Sequence, residues 1–131
     1  MRKVLIVDDE EVVREFLTDV LRQEGYDVRA VSDAPRALDA LGTDSFPVMF
    51  FDLMMPVTSG LDLCRQVRQR NPISVIFAMT GYPALFEVAT CRSAGFDDYF
   101  RKPLDRRMII KATNEAMARV ERWFSYLKRE A

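Results

Sequence analysis

Five residues carry the chemistry that this sequence can offer. Asp8 and Asp9 follow one short apolar run, Asp52 closes a second, Thr80 closes a third, and Lys102 stands just after a fourth. Three carboxylates brought to about 4 Å of one another repel by roughly 4 kcal/mol per pair at an effective dielectric near 20. A proton or a cation must relieve that repulsion. Lys102 cancels one of the three negative charges, and a divalent cation cancels the other two. A few carboxylates with room for waters and a phosphate suit Mg²⁺, whereas Ca²⁺ asks for more oxygens. Histidine is absent from the chain, which makes a tetrahedral zinc centre a poor fit. An aspartate beside such a cation and a lysine is equipped to attack phosphorus and form an aspartyl phosphate. Incoming phosphoryl oxygens would meet the cation, the Lys102 ammonium and the Thr80 hydroxyl, and phosphoryl transfer is mostly positioning and charge neutralisation. Asp52 is the preferred acceptor, because it ends the most apolar of the runs.

The elements that must position these groups alternate along the chain. Lys3 to Val7 is a continuous apolar run of the kind buried on both faces of a sheet. A helix patterned on Val12, Val13, Phe16, Leu17, Val20 and Leu21 follows and stops at Gly25. Tyr26 to Val31 alternates with period two, as an edge strand does. A short helix from Pro35 to Leu41, a strand from Pro47 to Phe51 and a helical stripe through Leu61, Cys64 and Val67 come next. Ile73 to Met79 predicts the fourth strand, Pro83 to Gly95 a short helix, and Asp97 to Arg101 the fifth strand. One long helix runs from Leu104 with Asp105 as its cap. Strict strand–helix alternation predicts an α/β fold, a doubly wound parallel sheet with helices on both faces. Ligands bind such sheets at the carboxyl ends of the strands, where the five residues fall.

Composition narrows the function classes. The chain has 131 residues, 19 basic and 20 acidic, with a net charge of -1. That predicts one domain. Its longest apolar run, Val75 to Met79, has five residues against the roughly 20 that a membrane-spanning helix needs, and no secretory h-region follows Met1. A cytoplasmic protein without membrane contact is expected. The lack of histidine removes Ser-His-Asp and Cys-His devices and any phosphohistidine carried by this chain. Cys64 and Cys91 are far apart, with no C-x-x-C pattern, and are expected to be reduced, buried thiols. Residues 101–131 carry 9 basic and 4 acidic side chains, but the positives interleave with Glu115, Glu121 and Glu130, so a solvated helix face is expected rather than direct nucleic-acid binding.

Four motifs, Val7-Asp8-Asp9-Glu10, Asp52-Leu53-Met54-Met55-Pro56 with Gly60, Met79-Thr80-Gly81 and Lys102-Pro103-Leu104, stand in this order on these elements. Together they resemble the receiver domain of two-component response regulators over residues 1–117. The resemblance implies a flavodoxin-like five-stranded sheet of order 2-1-3-4-5. It implies that Asp52 is phosphorylated by a sensor histidine kinase, and that Mg²⁺ is held by Asp9, Asp52 and the Met54 carbonyl, with Asp8 acting through water. Thr80 is similar to the switch hydroxyl and Tyr99 to the aromatic switch residue, which relay the change to the face of the fourth helix, fifth strand and fifth helix. Gly81 fits a position that is kept small for access. Such a domain is not an enzyme acting on other molecules; it catalyses only its own phosphorylation and dephosphorylation.

Two departures from the pattern matter. Met54 and Tyr82 stand two residues after Asp52 and Thr80 and are expected to shield the phosphoryl group from water, lengthening its lifetime. The domain is drawn as 1–118, with 119–131 extending the last helix. There Ile109, Thr113, Ala116, Val120, Trp123 and Leu127 follow a heptad seam, which suggests a partner helix, either a homodimer or a linker to an output domain. Two other functions compete: an Mg²⁺-dependent phosphohydrolase with an aspartyl nucleophile, and a receiver-like interaction module that is never phosphorylated. The hydrolase needs a substrate pocket and further acid–base groups for which 131 residues leave little room.

Overall fold

The computed structural model describes residues 2–85 and 87–130. Its elements are β1 (Lys3–Val7), α1 (Glu11–Gln23), β2 (Asp27–Val31), α2 (Ala34–Thr43), β3 (Val48–Asp52), α3 (Gly60–Arg70), β4 (Val75–Thr80), α4 (Val88–Ala94), β5 (Asp98–Arg101) and α5 (Arg106–Glu130). The strands form one parallel sheet in the order β2-β1-β3-β4-β5, as expected. Strand order reverses between β1 and β3, which opens a crevice at their carboxyl ends.

The central strands are apolar throughout because both faces are covered. Leu5, Met49, Phe51, Ile76 and Ala78 point into one core layer with Ala37 of α2, Leu63 of α3 and Cys91 of α4. Their neighbours Ile6, Val48, Phe50 and Phe77 point the other way, against Leu17 and Leu21 of α1 and Ile109 and Met117 of α5. Local signals set the helix ends. Asp33 accepts from the Arg36 N–H, Ser59 from the Asp62 N–H, and Asp105 from those of Arg107 and Met108. Gly95, at φ 112°, closes α4 in the left-handed conformation that a glycine adopts freely.

The segment expected to be one helix from Pro83 to Gly95 divides. A single 3₁₀ turn covers Pro83–Leu85, and α4 begins only at Val88. Proline is a good helix starter, but here it starts a turn that does not propagate. Phe86, between the two, lies outside the described residues.

The heptad seam is also corrected. Ile109, Thr113, Ala116 and Val120 are buried against the domain itself, so they have no free face for a second helix. Trp123 and Leu127 continue the stripe along an open groove beside Arg68 and Ile73, joined by Phe124 and Tyr126, and all four are about half exposed.

Candidate functional site

Backbone hydrogen bonds carry the strand ends to one edge. The Asp8 N–H bonds to the Val31 carbonyl, that of Leu53 to Met79, and that of Lys102 to Thr80. The carboxyl groups of Asp8, Asp9, Glu10 and Asp52 thereby offer oxygens that all lie within 4.8 Å of one another. Asp8 and Asp52 are buried, and Asp9 and Glu10 are exposed. Gly60 fixes the approach of α3 to this edge: a Cβ there would lie 2.2 Å from the Asp52 carbonyl oxygen, so no other residue fits.

Lys102 Nζ sits among the acids, 2.8 Å from Glu10 Oε1, 2.9 Å from Asp8 Oδ2 and 3.5 Å from Asp52 Oδ1. Its contact with Asp8 Oδ2 is an ion pair, and that oxygen is the one buried polar side-chain atom without an assigned hydrogen bond among the described residues. Asp8 Oδ1 accepts from the Glu10 N–H at 2.9 Å, and Asp52 Oδ1 from the Met54 N–H at 3.2 Å.

The electrostatics follow from burial. Loss of hydration pushes the Asp52 carboxyl up to about 7, aided by the Asp8 charge and opposed by Lys102 and the Met54 N–H. Asp8 is raised chiefly by burial, with the Glu10 N–H and Lys102 pulling the other way. Against the pull of burial, Glu10 and Asp8 hold the Lys102 ammonium above the ordinary lysine value. The pocket is therefore short of positive charge. Asp8 Oδ2, buried and lacking a hydrogen bond, is what a cation or its bound water would satisfy, and an all-oxygen donor set suits Mg²⁺.

Thr80 is buried at the end of β4, and its Oγ1 accepts from the Tyr82 N–H at 2.9 Å. Thr80 and Tyr99 share a small cavity of about 40 Å³ with Leu53, Pro83, Val88 and Cys91, and Tyr99 is about half exposed. Met54 and Tyr82 are exposed near the mouth of the acidic pocket. A Cβ added at Gly81 would meet nothing within 4 Å, so that glycine is not demanded by packing. Burial pushes the Cys64 thiol up to about 12 and raises Cys91, which makes neither a ready nucleophile.

All the sequence-predicted residues gather at this edge: Asp8, Asp9, Asp52, Met54 and Lys102 at the pocket, with Thr80 and Tyr99 beside it. Glu10 stands out in the sequence only as part of a motif, and nothing there signals its contact with Lys102. No helix among the described residues is long and apolar enough to cross a membrane.

A family model described as the response regulator receiver domain matches residues 4–114. The chain is 34% identical over 119 residues to the sensory transduction protein RegX3 of Mycobacterium tuberculosis, covering 91% of this chain and 52% of that protein. It is 32% identical over 120 residues to the alkaline phosphatase synthesis transcriptional regulatory protein PhoP of Bacillus subtilis, covering 92% of this chain and 50% of that protein. The chain thus spans about half the length of these curated relatives. A crystal structure of a CheY-like response regulator receiver domain protein from Methanospirillum hungatei superimposes with a TM-score of 0.87 at 26% identity, covering 93% of this chain and 98% of that one.

Proposed function

The chain belongs to the response regulator receiver domain family, and from that premise we propose that it is a phosphorylation-driven signalling switch whose acceptor is the Asp52 carboxylate. The observation that carries this reading is a buried carboxylate, 3.5 Å from a lysine ammonium, in a pocket with more acid than base. A sensor histidine kinase is the expected donor, and Asp52 attacks its phosphohistidine phosphorus as the P–N bond breaks. The imidazole leaves with a proton from solvent.

Asp9, Asp52 and the Met54 carbonyl would hold Mg²⁺, with Asp8 reached through water. When bound, the ion supplies the positive charge that Lys102 alone cannot. Lys102 then offers its ammonium to the phosphoryl oxygens, and the Met54 N–H keeps the Asp52 side chain oriented. The new group brings a charge of about -1.5 to -2. Thr80 exchanges its bond with the Tyr82 N–H for one to a phosphoryl oxygen, and Tyr99 turns into the shared cavity. The change reaches the α4–β5–α5 face by shifting an equilibrium between two packings.

Incubation with Mg²⁺ and acetyl phosphate tests the reading. A stoichiometric, labile adduct on the intact protein, absent from Asp52→Asn, supports it. Turnover of many phosphoesters would instead favour the phosphohydrolase, and no adduct would favour the inert module.

The half-exposed Trp123, Phe124, Tyr126 and Leu127 support a second reading for residues 119–131: this end of α5 pairs with a second copy. Half of a large side chain is about 100 Å², so four provide about 400 Å² per copy, below the roughly 800 Å² of a standard interface. The dimer is therefore weak and depends on concentration. Sedimentation as a monomer at all concentrations, with and without a phosphoryl mimic, would remove it.

A further inference from the structure

Glu10 occupies the N-cap of α1, yet its side chain makes no capping hydrogen bond. Asp8 Oδ1 holds the Glu10 backbone N–H, and the Glu10 carboxylate turns instead to Lys102, whose Nζ donates to Oε1 at 2.8 Å. The same ammonium lies 2.9 Å from the buried Asp8 Oδ2, and its distance to the acceptor carboxylate of Asp52 is 3.5 Å. Burial differs just as sharply. The Asp52 side chain is 4% exposed, that of Lys102 13% and that of Glu10 59%. The lysine is thus held between a buried partner, Asp8, and a solvent-side one, Glu10, and the hold of Glu10 is the more screened.

From this geometry we infer that Glu10 is a positioning residue, a releasable tether that keeps the Lys102 ammonium at the mouth of the pocket until a phosphoryl group on Asp52 draws it inward. The inference rests on Asp52 being the acceptor. Before phosphorylation, Glu10 shares the Lys102 ammonium with Asp8 and keeps it from moving wholly into the pocket. Once the phosphoryl group is in place, its oxygens offer the ammonium a stronger partner, because charge-assisted hydrogen bonds strengthen with anionic charge and with exclusion of water. Glu10 then returns to solvent at small cost, since an exposed ion pair is a weak one. The tether sets how much of the attraction between lysine and phosphoryl is spent on breaking an earlier contact. Its removal favours the phosphoryl-bound state.

Beryllofluoride binding in saturating Mg²⁺ reads this directly, because the mimic occupies the phosphoryl position without chemistry. Glu10→Gln should bind it about two- to fivefold tighter than the wild type, the effect of losing one exposed ion pair. Glu10→Asp, one methylene too short to reach Lys102, should behave like Glu10→Gln. Mg²⁺ affinity measured by calorimetry without the mimic should change less than about twofold, because Lys102 already neutralises Glu10. The Lys102 ammonium resonance should move in both variants. Unchanged beryllofluoride affinity in Glu10→Gln would overturn the inference, as would wild-type behaviour of Glu10→Asp. A tenfold loss of Mg²⁺ affinity would do the same by making Glu10 a metal ligand. If the wild type itself binds no beryllofluoride and takes no phosphate from acetyl phosphate, the assignment of Asp52 fails, and that outcome is distinct from the others.

Discussion

Replacing Asp52 by asparagine should stabilise the metal-free protein, and by an amount that grows with pH. In the folded protein the Asp52 carboxyl is pushed up to about 7 from an ordinary 3.8. The native state therefore keeps a proton that the unfolded chain has released across that window, and stability falls as pH rises through it. Below about pH 4 both states are protonated and nothing is lost; above about pH 7 the whole cost is present. A shift of about three units at about 1.4 kcal/mol each sets a ceiling near 4 kcal/mol. The asparagine side chain keeps an oxygen for the Met54 N–H but gives up the attraction of Lys102, so a gain of about 2–4 kcal/mol at pH 8 is expected. For a domain of this size that raises the melting temperature by roughly 5–15 °C. Urea unfolding followed by circular dichroism, in chelator, at pH 5 and pH 8, measures the difference. It should shrink towards pH 5, and Mg²⁺ should narrow it at pH 8 by stabilising only the wild type. Equal stabilities at pH 8, or a larger gain at pH 5 than at pH 8, would refute the link between burial of Asp52 and its cost.

Three further outcomes follow from single residues. Met54→Asn, by admitting and orienting water beside the acceptor, should speed loss of the phosphoryl group on the order of tenfold, and an unchanged decay of the labelled adduct would remove Met54 as a shield. Gly60→Ala sets a Cβ 2.2 Å from the Asp52 carbonyl oxygen and should cost about 3 kcal/mol or more in denaturant unfolding, as overpacking against backbone does. Val57 is fully exposed at φ 70°, a conformation that a β-branched residue adopts only under strain, so Val57→Asn should gain about 1 kcal/mol in the same assay.

The strand ends were legible because burial on both faces writes an uninterrupted apolar run, and a polar residue that closes such a run has little to do in the core. Asp8, Asp52 and Thr80 each closed one, and Lys102 followed another. The α4 boundary was not legible: Pro83 carries a helix-start signal whether the turn propagates or stops after three residues. The α5 stripe was ambiguous for a deeper reason. Spacings of four and three mark any helix with one apolar face, and a domain core satisfies that face as well as a second helix does. Val120 is buried and Trp123 is half exposed, so the stripe loses the full cover of the core within a single turn, a division that three-dimensional packing makes and periodicity does not. Glu10 eluded the sequence by the same logic. An acid at the start of a helix already has a local explanation in the helix dipole, so nothing signalled that its carboxylate was spent on a lysine 92 residues away. A residue with a sufficient local reason to be where it is can still do its work at long range. Such residues are to be sought where the local role goes unfilled, as the capping bond does at Glu10.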